Sequence, residues 1–204
     1  MRLPQNRGSL NRRWVLPEQK PRRRAVFLDR DGTIAEEVGY LNHSTRFRMF
    51  PFAPAAIRRL NEADLAVVVI SNQSGVARGY FPESLVQEVN EMLKSALAKE
   101  GARLDGIYYC PHGTADGCDC RKPNIGMMQR AERDLGVQVS GSYVVGDRYG
   151  DMEMAFRAGA CAILVRSGYG LGEWTWHRQE WRRQPAFVAE DLTGAVDWIL
   201  GQKQ

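Results

Sequence analysis

Apolar residues in this chain fall into short runs separated by amphipathic stretches, and the two kinds of segment alternate. Runs at 24–28, 65–70, 104–109, 143–146 and 161–165 have the length and β-branched or aromatic content of strands. Between them, apolar positions at helical spacing predict helices near 53–63, 82–99, 124–135 and 150–158. Pro54 and Pro82 suit helix starts, and Gly101, Gly136 and Gly159 stand where helices should stop. Ala186 to Ala189, then Asp191 to Leu200, read as a last strand and a capped helix. Strands apolar on both faces, alternating with helices, predict an α/β fold: a mainly parallel sheet with helices on both faces.

With 204 residues, the chain fits one domain with a substantial core. No apolar run approaches the ~18 residues of a membrane span. A basic N-terminus with no apolar segment behind it is not a secretory signal, so a cytoplasmic protein is expected. The net charge of +4 is unevenly spread. Eight Arg and Lys residues stand against Glu18 alone in residues 1–24, so the remainder is net acidic. Residues 1–23, rich in Arg, Pro, Gln and Asn, read as a basic flexible leader ahead of a single domain, 24–204. Such an arm can grip nucleic acid, but a solvated tail is the commoner meaning. Trp174, Trp176 and Trp181 lie among basic residues in 171–185, a segment that fits a surface loop packing its indoles over the sheet edge better than a base-stacking platform.

Chemistry enters at the strand ends. Asp29-Arg30-Asp31-Gly32-Thr33 directly follows the first strand, and open α/β sheets bind ligands at that edge. The i, i+2 spacing can turn both acids the same way, and Gly32 permits a sharp turn. One carboxylate can attack phosphorus while the other handles the leaving group's proton. The second strand opens into Ser71-Asn72-Gln73-Ser74-Gly75, whose hydroxyls and amides can bind phosphate oxygens without adding negative charge. Arg121-Lys122-Pro123 supplies cations that such a cluster needs, Lys122 as a point charge and Arg121 as a fork for a second phosphate. The fourth strand ends in Gly146-Asp147, with Asp151 four residues on; these acids could join Asp29 around Mg2+. Helix capping would equally explain Asp147 or Asp151.

Cys110, His112, Cys118 and Cys120 offer three thiolates and an imidazole within eleven residues, the donor set of a closed structural Zn2+ site. Such a site would staple the loop at 110–120 beside Arg121 and Lys122. Cys161 reads as a core residue, and His43 carries no evident role.

The strings strand-DRDGT, strand-SNQSG, CDCRKP and strand-GDRYGD resemble the four motifs of the haloacid dehalogenase (HAD) superfamily. DRDGTI with Gly39-Tyr40, SNQSGVARG, DGIYYCPH and VGDRYGDM narrow the resemblance to its zinc-loop phosphatases of heptose 1,7-bisphosphate, with the histidinol phosphatases as near relatives. The similarity spans about residues 24–170. It implies a Rossmann-like HAD fold without a large cap domain and a small sugar bisphosphate as substrate; the chain is separately expected to be a monomer with no nucleic-acid or membrane partner. The resemblance further implies that Asp29 is the nucleophile and Asp31 the general acid, with Ser71 and Lys122 stabilising the phosphoryl group. Mg2+ would be held by Asp29, the Asp31 carbonyl and Asp147, and Zn2+ by Cys110, His112, Cys118 and Cys120. Arg121 would recognise substrate, with Glu37, Val38, Gly39, Tyr40, Asn72, Gln73, Ser74 and Arg148 lining the pocket. Departures from the family's strings are Ala35, where Asn is frequent, Arg148, where Lys can stand, and a short zinc loop, Gly113 to Gly117. Alternatives are a histidinol-phosphate phosphatase, a polynucleotide 3′-phosphatase, and, in another class, a zinc-stapled nucleic-acid-binding module.

Overall fold

The computed structural model describes residues 22–202. The apolar runs become six strands, β1 (Arg24–Leu28), β2 (Ala66–Asn72), β3 (Gly106–Cys110), β4 (Gln138–Gly146), β5 (Cys161–Val165) and β6 (Phe187–Ala189). They form one sheet in the order β3-β2-β1-β4-β5-β6, and every neighbouring pair is parallel. The helices are α1 (Ala53–Glu62), α2 (Glu83–Lys99), α3 (Gly126–Leu135), α4 (Tyr149–Ala158), a single turn α5 (Gly170–Gly172) and α6 (Leu192–Gly201).

Period-two alternation sends the strand side chains to two cores. Val26 and Leu28 of β1, Val67 and Val69 of β2, and Tyr143 and Val145 of β4 pack with α1, α2 and α6 residues such as Ile57, Leu93 and Val196. Ala25, Phe27, Val68, Ile70 and Val144 pack on the other face with Met127, Met128 and Ala131 of α3 and Met152 and Ala155 of α4. Both faces are therefore covered by helices, the three-layer arrangement that a parallel sheet of apolar strands requires. This is the Rossmann-like arrangement expected from the sequence.

The expected punctuation is in place. Pro54 lies in the first turn of α1, Asp191 caps α6 by accepting from Gly194 N at 3.1 Å, and Gly136 and Gly159 end α3 and α4 in left-handed conformation. One strand differs: β4 begins at Gln138 rather than 143, because Ser140, Gly141 and Ser142 interrupt the apolar pattern without ending the extended chain. The buried Ser142 hydroxyl accepts from Ala25 N at 2.8 Å, which explains a polar residue inside the sheet.

Residues 1–21, most of the expected leader, lie outside the described residues. Of the two remaining, Arg22 pairs with Glu132 at 3.4 Å, and Arg23 pairs with Asp105 and, at 3.4 Å, with Asp64. The Trp-rich segment is a chain of short helical turns over Gly170–Glu180, π-helical over Glu173–His177. Trp181 is buried and stacks on Tyr149 of α4, Trp174 tilts against Trp181, and Trp176 is 76% exposed. Two of these three indoles thus pack, as expected, but from a helical segment rather than a loop, with Trp181 against Tyr149 of α4. No helix among the described residues is long and apolar enough to cross a membrane.

The sheet order places a topological switch between β1 and β4, since the chain builds outward through β2 and β3 and then returns to the other side of β1. Ligands of open α/β sheets bind at the carboxyl ends of strands beside such a switch. Asp29 and Asp147 occupy that position.

Candidate active site

The turn after β1 is closed by its own backbone. Asp29 N donates to Val145 O at 2.9 Å, carrying the β1–β4 ladder one residue past the strand, and Ile34 N and Ala35 N both donate to Arg30 O at 2.9 Å. Gly32 makes the turn possible. Its φ is +83°, and a Cβ there would lie 2.1 Å from Asp147 Oδ2, so only glycine lets β1's turn and β4's acid approach this closely. Ala35, the departure from the family string, is fully buried and bridges Met49.

Lys122 organises the acids. Its ammonium lies 2.9 Å from Asp29 Oδ2 and 2.7 Å from Asp151 Oδ1, and donates to Ile70 O at 3.2 Å. Carboxylate oxygens of Asp29, Asp147 and Asp151 lie within 4.8 Å of one another. This is the acid cluster a hard cation such as Mg2+ needs. Burial pushes the Asp29 carboxyl up to about 7, against the pull of Lys122. Asp147 rises to about 8 through burial, then through the charges of Asp29 and Asp151. Lys122 is held protonated above its ordinary range: its burial opposes the charge, but Asp151 and Asp29 outweigh that. One buried ammonium therefore faces three crowded acids, a site whose charge balance improves when a divalent cation enters.

Asp31 is gripped from two sides. The buried Arg30 guanidinium forks onto it, Nε to Oδ1 at 3.1 Å and Nη2 to Oδ2 at 2.8 Å, while Nη1 donates to Asn90 Oδ1 of α2 at 3.1 Å. Gln73 Nε2 donates to Asp31 Oδ2 at 2.9 Å and to Ser71 Oγ at 2.7 Å, joining the turns after β1 and β2. Asn72 serves the third station. Its amide donates to Lys122 O at 3.2 Å and accepts from Lys122 N at 3.0 Å. Asn72 and Gln73 thus line the pocket and also fix the lysine segment and Asp31.

A cavity of about 490 Å³ opens over these groups. It is lined by the predicted residues Asp29, Asp31, Glu37, Gly39, Tyr40, Ser71, Asn72, Gln73, Ser74, Arg121, Lys122 and Arg148. Burial raises the Glu37 carboxyl, partly offset by the Gly39 N–H it accepts from. The expectation for Val38 needs correction. Its side chain does not line the cavity but packs against the core on the α1 side, because Glu37 and Gly39 already take the cavity-facing positions of that loop. Asp147 sits behind the lining, under Gly32 and Gly168.

Sequence reasoning missed several contributors. Arg30 lies in the strand-end string but receives no role from it, and Asn90 lies mid-helix in α2, far from any strand end. Asp151 was visible as the last acid of GDxxxD, and it serves both readings: it pairs with Lys122, and it accepts from Arg148 N at 3.2 Å in the first turn of α4. Tyr169 acts through its backbone, donating to Asp147 Oδ2 at 2.8 Å, while its ring lies 3.7 Å from the Arg148 guanidinium. Ser167 Oγ donates to Gly32 O at 2.6 Å. Arg78 and Glu173 also reach the cavity.

The four predicted zinc donors come together. Sγ atoms of Cys110, Cys118 and Cys120 and a ring nitrogen of His112 all lie within 4.8 Å of one another. His112 Nδ1 is 3.5 Å from Cys110 Sγ and 3.2 Å from Cys120 Sγ, and all four cysteines of the chain are free thiols. Burial would raise the Cys118 thiol, but the Arg121 N–H and the neighbouring thiols bring it down to about 7. Three thiols and one imidazole in a closed cluster match the preferences of a soft divalent metal. The loop ends at Arg121, whose Nη1 donates to His112 O at 3.2 Å.

Fold and site together define a HAD-type phosphoryl-transfer enzyme. The HAD-hydrolase-like family model matches residues 119–195. A D-glycero-D-manno-heptose-1,7-bisphosphate 7-phosphatase of Thermosynechococcus vestitus is 38% identical over 87% of this chain and 95% of its own length. The β-anomer enzyme of Escherichia coli K12 is 39% identical over 86% of this chain and 87% of its own. Among solved structures, the D,D-heptose 1,7-bisphosphate phosphatase of B. bronchiseptica, complexed with magnesium and phosphate, superposes with a TM-score of 0.80 at 33% identity. That superposition covers 88% of this chain and 99% of the other. The chain belongs to the heptose 1,7-bisphosphate 7-phosphatase family of HAD hydrolases.

Proposed function

We propose that this protein hydrolyses the C7 phosphate of D-glycero-D-manno-heptose 1,7-bisphosphate, a step toward nucleotide-activated heptose for surface glycans. The observation that carries the reading is the Lys122 ammonium set between Asp29 and Asp151 on the cavity floor, with Asp31 held beside them. The relatives' names supply the substrate.

In this reading an Asp29 carboxylate oxygen attacks phosphorus as the P–O bond to C7 breaks, giving a phosphoaspartate. Asp31 gives its proton to the departing sugar oxygen. Water then attacks the acyl phosphate and yields its proton to Asp31, releasing phosphate and restoring Asp29. Lys122 and Ser71 hold the equatorial oxygens, where charge gathers in the transition state. Gln73 keeps Ser71 and Asp31 in a fixed relation through both transfers. The acid cluster fits Mg2+, with Asp29, Asp147 and the Asp31 carbonyl as protein ligands and Asp151 steering Lys122. When bound, Mg2+ neutralises charge between the nucleophile and the phosphoryl oxygens. Arg121 faces the non-reacting phosphate. Cys110, His112, Cys118 and Cys120 fit Zn2+ as a structural staple that sets the Arg121-Lys122 segment, with no part in bond breaking.

The test is Mg2+-dependent phosphate release from both heptose 1,7-bisphosphate anomers, histidinol phosphate and a 3′-phosphorylated oligonucleotide at matched concentrations. The reading predicts a large kcat/KM advantage for a heptose bisphosphate. If histidinol phosphate wins, the mechanism stands and the named substrate falls.

A further inference from the structure

Four cations line the cavity, and three are already engaged. Lys122 pairs with Asp29 and Asp151, Arg121 donates to His112 O, and Arg148 stacks on Tyr169 and faces the charge of Glu37. Arg78 differs. Among the described residues its side chain has no hydrogen bond, ion pair or ring partner, although it lines the same cavity.

The backbone explains where this free guanidinium stands. Arg78 N donates to Ser74 O at 3.1 Å, and Ala77 N donates to Pro111 O at 3.1 Å. Gln73 N donates to Cys110 O at 2.7 Å, and Gly113 approaches the Ala77 methyl. The loop after β2 is therefore bound to the cysteine-bearing loop after β3. Arg78 and Arg121 enter the cavity from these adjoining loops, on the β2–β3 side of Asp29, whereas Arg148 enters from the β4 side.

We infer that Arg78 and Arg121 together clamp the phosphate that is not transferred, the anomeric phosphate of a sugar bisphosphate. The inference rests on the proposed function and adds a specificity-determining residue to it. The chemistry favours this pair. The acids around Asp29 already need Lys122 and a divalent cation, so they have no positive charge to lend the distal phosphate. Arg121 has one nitrogen committed to His112 O, which leaves part of its fork for an anion. A second fork with no prior partner supplies donors that a dianion requires, and it gives up no existing contact on binding. Binding energy realised at a remote phosphate can hold the scissile end in line.

The experiment compares wild type, Arg78→Met and Arg78→Lys on heptose 1,7-bisphosphate and on heptose 7-phosphate, which has the scissile group but no anomeric phosphate. The clamp predicts that Arg78→Met loses about 10- to 100-fold of the wild-type kcat/KM preference for the bisphosphate. Arg78→Lys recovers part of it, since the charge remains without the fork. The melting temperature stays at the wild-type value, because the side chain has no folded-state partner to lose. Retention of the full preference in Arg78→Met overturns the clamp, as does an equal loss on both substrates. A wild type that cleaves the bisphosphate with no preference over the monophosphate overturns the clamp and leaves the activity standing. A wild type inactive on the bisphosphate overturns both.

Discussion

Arg30 forks onto the carboxylate of the very next residue, Asp31, with its Nε 3.1 Å from Oδ1 and its Nη2 2.8 Å from Oδ2. The side chain is only 1% exposed, and its remaining nitrogen, Nη1, donates to Asn90 on α2. A carboxyl that must give a proton and then take one back needs a constant orientation, and this fork supplies it. Arg30→Met should lower kcat about 10²-fold, within the range that general acid–base catalysis contributes, with a smaller effect on KM. Arg30→Lys should fall between the two, keeping charge but not the fork. Steady-state kinetics below the variants' melting temperatures checks this. A rise in KM at unchanged kcat would assign Arg30 to binding instead.

The acid cluster sets a pH dependence whose sign follows from burial. Asp29 and Asp147 rise from 3.8 to about 7 and about 8 in the metal-free protein. Their folded values lie above their unfolded ones, so the stability they contribute is complete below about pH 4 and is lost as pH rises through 7 and 8. Mg2+ replaces the protons. The metal-free melting temperature should therefore fall between about pH 4 and about pH 8 and level off above that, and Mg2+ should raise it most at the alkaline end. Asp147→Asn should flatten the metal-free decline and remove most of the Mg2+ response. Thermal melts across pH, with and without Mg2+, decide it; a Mg2+ shift of the same size at every pH would refute it.

Gly168 should tolerate no side chain. Its φ is +57°, and a Cβ would lie 2.3 Å from Asp147 Oδ2 and 2.5 Å from the Gly32 Cα. Gly168→Ala must displace either Asp147 or the turn that carries Asp31. The expected result is at least a tenfold rise in the Mg2+ concentration for half-maximal activity, roughly what disturbing a metal ligand's support costs. A Mg2+ titration of activity measures it directly.

Removing the metal of the cysteine loop should act at a distance from chemistry. The four donors lie outside the cavity, but the loop delivers Arg121 and Lys122. Cys118→Ser should lower the melting temperature and raise KM more than it lowers kcat. Metal analysis should find about one Zn2+ per chain in wild type and a markedly lower content in the variant. Full zinc content in Cys118→Ser would contradict the ligand assignment.

Legibility in the sequence followed locality. Asp29, Asp31, Ser71, Lys122 and Asp147 each sit within a few residues of a strand end or a compact motif, so chain position and residue type together announce them. Arg30 occupies the same string but announced no role of its own, because that role appears only when Asn90, 60 positions away, meets its guanidinium. Tyr169 holds Asp147 with a backbone N–H, which no residue type encodes. Val38 shows the opposite failure. The family resemblance implied a cavity position for it beside Glu37 and Gly39, yet the loop turns its side chain to the core. The early start of β4 escaped the apolar pattern because Ser142 is buried through a hydrogen bond rather than through hydrophobicity.

The central claim is that Asp29 carries the phosphoryl group, and acid-quenched mass spectrometry of enzyme turning over heptose 1,7-bisphosphate tests it most directly. The account predicts a phosphoryl adduct on the Asp29 peptide during turnover. It also predicts that Asp29→Asn releases no phosphate at C7. Steady release with no adduct at Asp29, together with substantial activity in Asp29→Asn, would contradict it.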